Sequence, residues 1–162
     1  MALNSTQLAA LKTAINGNAT WAAFPMNSDG YFNLAALLNQ AAAPAFIVWK
    51  TNVPIGDVGK AFNGTELAGL TTANQTRLQT IALYLTDGVN PSLSDNRAFF
   101  DDVFSGAGGT NTRTALAALW KRSATSAEKI FAAGTGTTGS PATLVFEGAV
   151  SASEVETARN LP

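Results

Sequence analysis

The sequence predicts a mainly α-helical protein: a small helical bundle around one long central helix, with a short β segment and a C-terminal arm. Three observations predict it. Apolar residues recur every three or four positions in successive windows, the signature of amphipathic helices. The longest such window covers residues 112–133. Beyond it, the glycine-rich "GTGTTGSP" precedes one strand-like tetrapeptide, "TLVF", and one last helix with its own start signal. The expected organisation is therefore a bundle domain over 1–133 and a connector, strand and helix over 134–162.

The elements follow in order. Leu8, Leu11 and Ile15 share one face of a short helix, with Ser5 as N-cap and Gly17 as stop. A second helix starts at Ser28 or Asp29, aligns Leu34, Leu37, Leu38 and Ala41, and ends before Pro44. "FIVWKTNVP" reads as a short strand or a packed extended segment, and 54–70 as irregular with one helical turn. A third helix runs from Thr72 to Thr86 with Leu78, Ile81, Ala82 and Leu85 inward. A fourth follows Ser92 or Ser94, with Leu93, Phe99, Phe100, Val103 and Phe104 opposed to Asp95, Arg97, Asp101 and Asp102.

The long helix, Thr112–Ala133, would place Leu116, Leu119, Trp120, Ser123, Ala127, Ile130 and Phe131 on one face. Lys121, Arg122, Glu128 and Lys129 would lie on the other, three of them as a basic patch that is a solvated face or a contact for an acidic neighbour. Ser151 and Glu154 form the S-x-x-E box that opens the last helix. A lone strand leaves both edges unpaired, so "TLVF" pairs either with "FIVW" of its own chain or with a neighbour's strand. The flexible connector favours the second, which makes 141–162 a docking arm with Leu144, Phe146 and Val155 as its apolar contacts.

Composition excludes several chemistries. The chain has no cysteine and no histidine, so thiolate nucleophiles, imidazole bases and N/S zinc sites are ruled out. Lys+Arg number 10 and Asp+Glu 11, without the basic surplus of a nucleic-acid binder. Charged residues are 13% of the chain, and residues 1–49 hold only Lys12 and Asp29. A free surface normally carries more charge, so this one is either covered by neighbouring subunits or a neutral Asn/Thr/Gln surface. No apolar run is long enough to cross a bilayer.

Three motifs fail on context. Gly134, Gly136 and Gly139 have G-x-G-x-x-G spacing, but a helical pattern precedes them and a strand follows, the reverse of a dinucleotide site. Gly134 reads instead as a residue just past a helix end. Ser126–Lys129 matches S-x-x-K and Ser94–Asn96 matches S-D-N of serine β-lactamases, in the wrong order and without K-T-G. Asp101 and Asp102 diverge by about 100° on a helix and cannot flank one bond. The expectation is no enzyme, no cofactor and no metal.

The segment "LWKRSATSAEKIFAAGTGTTGSPATLVFEGAVSASEVETARN", with "APAFIVWKT" and the opening "LKTAI…NSDG…LAALLNQ", resembles a family of small virion structural proteins of tailed bacteriophages and prophages. The likeness runs along most of the chain and is strongest over 119–160. It implies a head-to-tail adaptor, or connector: a homo-oligomeric ring subunit, dodecameric if it follows the portal, docking the portal protein to tail proteins. A head decoration protein, a neck stopper or a tail-associated protein is the alternative. The implied location is the neck of the virion after synthesis in the bacterial host cytoplasm, with neither membrane nor sequence-specific nucleic acid as partner.

Overall fold

The computed structural model describes residues 2–162, and it is mainly helical. The described residues fall into two compact units, 2–48 with 123–162 and 49–122. The division expected at residue 133 is not the one the chain adopts. The middle of the sequence closes on itself, and the two ends build the other unit together.

The first unit opens with α1 (Ser5–Asn16), capped by Asn4 and not by Ser5. Asn4 Oδ1 accepts the Gln7 amide at 2.9 Å while the Gln7 side chain accepts the Asn4 amide at 3.0 Å, a reciprocal box. A short α2 (Ala19–Ala22) follows on Asn18. Helix α3 (Ser28–Leu38) is capped by Asn27 and stops at Asn39, so Ala41 leaves the helix and bridges to Thr125. Strand β1 (Ile47–Trp49) then carries the chain into the second unit.

There, the segment expected to be largely irregular forms α4 (Ile55–Ala61) and α5 (Gly64–Ala68). Helix α6 (Thr72–Tyr84) ends two residues early, and Ala82, expected inward, is exposed. Helix α7 (Ser94–Val103) buries Phe100 and Val103, with Phe104 beyond its end. After a 3-10 turn at Ala107–Gly109 comes α8 (Thr110–Leu119), whose first turn is held by α5. Glu66 accepts the Asn111 and Thr112 amides, both at 2.8 Å, two of the donors a helix N-terminus leaves open. The core of this unit is Val53, Val58, Val89, Phe100, Val103, Phe104, Leu116 and Trp120.

The long central helix does not form. After α8 the chain extends as β2 (Lys121–Ser123), pairs with β1, and re-enters a helix only at α9 (Ser126–Phe131). Two causes are visible. Thr125 and Glu128 form a capping box, 3.1 Å and 2.9 Å, which starts a new helix instead of continuing the old one. The backbone around the break finds extended partners: Lys50 N–H donates to the Trp120 carbonyl at 2.9 Å and Ala124 N–H to the Phe46 carbonyl at 2.8 Å. As a result Glu128, expected on a solvated face, is buried, and Ser123, expected inward, is exposed.

The last segment completes the first unit. "TLVF" is not a strand; Ala142 and Thr143 make single bridges to Val48 and Ala133 of the same chain. Helix α10 (Ala152–Arg159) opens with the expected Ser151–Glu154 box and packs on α1 and α3. Its Val155 and Ala158 join Leu11, Ile15, Leu34, Leu38, Phe131 and Phe146 in one core. The glycines serve a turn. Helix α9 ends in an extended Ala132, so Gly134 lies beyond its cap, and Gly136, at φ +65°, packs where a Cβ would come within 2.2 Å of the Phe46 ring.

Candidate functional site

The residues expected to form interfaces are placed differently from their expected roles. Lys121 and Arg122 lie in β2 and Lys129 in α9, so no single helix face carries the basic patch. Each lysine ammonium sits over an aromatic ring instead: Lys121 5.5 Å from the centre of Trp49, Lys129 5.6 Å from that of Phe46. Val155 and Phe146 are buried in the first unit's core and Leu144 is half-buried against Val48 and Ala142. Phe146 and Val155 are thus covered within the chain itself, and Leu144 in part.

The serine motif can be judged by geometry. Ser126 and Lys129 line one open groove of about 290 Å³ with Asn18 and Trp21. No hydrogen bond joins their side chains among the described residues, and a nucleophile needs its base within that reach. Ser94 and Asn96 are engaged locally, Asn96 Nδ2 donating to the Asn90 carbonyl at 2.9 Å. Asp102 is exposed and pairs with Arg77 at 2.7 Å. A wider depression of about 490 Å³ has Asp101 and Arg113 in its wall, but Arg113 donates to the Phe104 carbonyl. Among the described residues no group of acidic side chains is arranged to hold a metal ion.

Three carboxylates among the described residues lie below their ordinary range: exposed Asp57, through its hydrogen bond and ion pair with Lys60, and two with structural roles, Glu66 and Glu154. Desolvation pushes Glu66 up, but the Thr112 and Asn111 amides outweigh it and hold the carboxyl below its ordinary 4.5. Desolvation likewise opposes the amides of Ser151 and Leu3 at Glu154, which is also lowered. Glu154 ties the two ends of the chain together, accepting the Leu3 amide at 2.8 Å.

The most unusual surface is α6, a feature the sequence reading missed. None of its residues is buried. Leu78 packs half-buried on the second core, yet Leu83 and Tyr84 are 76% and 78% exposed. Beside them lies a groove of about 250 Å³ walled by Thr76, Arg77, Thr80, Ile81, Tyr84 and Phe99 of α7. Arg77 covers one end, its guanidinium 5.3 Å from the Phe99 ring centre. The signal was present in the sequence: apolar residues occur all round α6, where an ordinary surface helix confines them to one stripe.

No known protein family matches the chain, and neither a curated protein nor a solved structure does.

Proposed function

We propose that the chain is a structural subunit of a tailed-bacteriophage virion, in first place the head-to-tail adaptor ring between portal and tail. The observation that carries the reading is the surface of α6. Leu83 and Tyr84 stand more than three-quarters exposed on a protein with only 13% charged residues. Large apolar side chains in an exposed cluster are what a neighbouring subunit covers. The virion assignment comes from the likeness of 119–160 and of "APAFIVWKT" to small virion proteins. Another virion component, a head decoration protein, a neck stopper or a tail-associated protein, shares the surface argument and differs in where the subunit sits. Electron microscopy of whole virions, with this chain built into density, tests both. A ring at the neck is expected; density on the head or tail selects the second reading, and absence from the particle refutes both.

A further inference from the structure

We infer that a groove in the first unit binds a saccharide, with Trp21 as its stacking surface and Asn18, Thr20, Gln40 and Ser126 as its hydrogen-bonding groups. The inference does not depend on where the subunit sits in a particle.

Stretches distant in sequence build the groove: α2 with its cap, the chain just after α3, and the start of α9. Two depressions of about 290 and 300 Å³ share Asn18, Trp21, Ala43 and Ser126, and so form one groove of a size that holds a small ligand. Its frame is fixed from within. Trp21 packs on the first core, and Asn18 Oδ1 accepts the Thr20 and Trp21 amides at 3.0 and 3.2 Å. The Ser126 amide donates to the Gln40 carbonyl at 2.9 Å.

What the groove leaves open is polar and uncharged. The Asn18 amide nitrogen, the Thr20 and Ser126 hydroxyls, the Trp21 indole N–H and the Gln40 side-chain amide make no hydrogen bond within the described residues. Together they donate and accept, as a ring of hydroxyl groups requires. Lys129 is the one charge in the lining, and its ammonium already sits 5.6 Å from the centre of the Phe46 ring. No acid stands there for a cation, and a lone engaged lysine is a poor match for a phosphate. A tryptophan beside uncharged donors and acceptors suits a ligand that is apolar on a C–H face and hydroxylated at its rim, which is a pyranose. An extended peptide fits less well, because it binds through main-chain edges. The Gln40 carbonyl and the Ala42 N–H of the wall are already taken by Ser126 and Ala124.

Nuclear magnetic resonance of the isotope-labelled chain tests this. The probes are maltotriose, cellotriose and chitotriose, with triproline as the peptide control, each at about 10 mM for an affinity in the millimolar range. The Trp21 indole signal is identified by its loss in Trp21→Phe. At least one saccharide should shift that signal and the Gln40 side-chain amide, leaving the Trp49 and Trp120 indoles in place. Gln40→Ala and Ser126→Ala should each weaken that binding about fivefold. Neither should move the thermal midpoint, since neither side chain makes a hydrogen bond within the fold. No shift with any saccharide, equal shifts at all the indoles, or unchanged affinity in both variants overturns the inference. A shift with triproline alone makes the groove a peptide site and overturns it too.

Discussion

Removing α10 should unfold the first unit. Val155 lies fully buried on α1 and α3, and burying such a side chain is worth about 1.5–3 kcal/mol. Glu154 accepts hydrogen bonds from the Leu3 amide and from the Ser151 amide and hydroxyl, and bonds of this charged kind contribute about 1.5–3 kcal/mol each. Lys12 Nζ donates to the Leu161 carbonyl at 2.6 Å, and Arg159 to that of Phe24 at 2.9 Å. Even at the low end, Val155 and the three bonds that tie 151–162 to the rest of the chain (from Leu3, from Lys12 and from Arg159) sum to about 6 kcal/mol, as large as the whole stability of many domains. Deletion of 151–162 should therefore abolish hydrogen-exchange protection of α1 and α3 while α7 and α8 keep theirs. Val155→Ala, which leaves the helix in place, should lower unfolding free energy by about 2–3 kcal/mol. Retained protection of α1 and α3 in the truncated chain would refute the reasoning and restore 151–162 as a detachable arm.

Three further outcomes are expected. Trp120→Ala should cost about 3–5 kcal/mol in denaturant unfolding, because the ring is buried and meets Phe100 edge-on at 5.6 Å. Trp120→Phe should cost much less, since the indole N–H has no hydrogen-bond partner among the described residues. Gly136→Ala should lower the thermal midpoint through an unfavourable left-handed φ, about 1–3 kcal/mol, with the Phe46 overlap added to it. Glu66 and Glu154 have lowered carboxyl pKa values, so the stability they contribute is complete above the unfolded value near 4.5 and is lost as pH falls from there through the lowered folded values. A pH titration of the unfolding midpoint should show this loss, diminished in Glu154→Gln.

Local signals in the sequence were reliable, and pairings distant along the chain were not readable. The stripes of α1, α3 and α7 predicted their buried residues because each rests on spacing within one helix: Leu11 and Ile15, Leu34 and Leu38, Phe100 and Val103. The break in 112–133 was legible too, as the T-x-x-E of Thr125–Glu128, and was overridden by an apolar stripe that ran across it. The same box at Ser151–Glu154 was recognised because no stripe competed. The partnership of 2–48 with 123–162 leaves no periodic trace, since packing α10 on α3 fixes no spacing in either. The burial of Phe146 and Val155 within their own unit was unreadable for that reason: an apolar residue looks alike in sequence whether its partner is another subunit or α1. The α6 surface was missed in the opposite direction, its outward leucine and tyrosine being read as part of an ordinary helix.

The discontinuous first unit sets an order of events during synthesis. Leu11, Ile15, Leu34 and Leu38 emerge early, but Val155, which covers them, comes 117 residues after Leu38. At about 5–20 residues per second that is a wait of roughly 6–23 s with an open apolar surface. The second unit, contiguous over 49–122, can close within that interval. The nascent chain thus carries one finished unit between two sticky ends, and a slow ribosome or a stalled message would lengthen the time in which the first ends of neighbouring chains can meet each other instead of their own last helix.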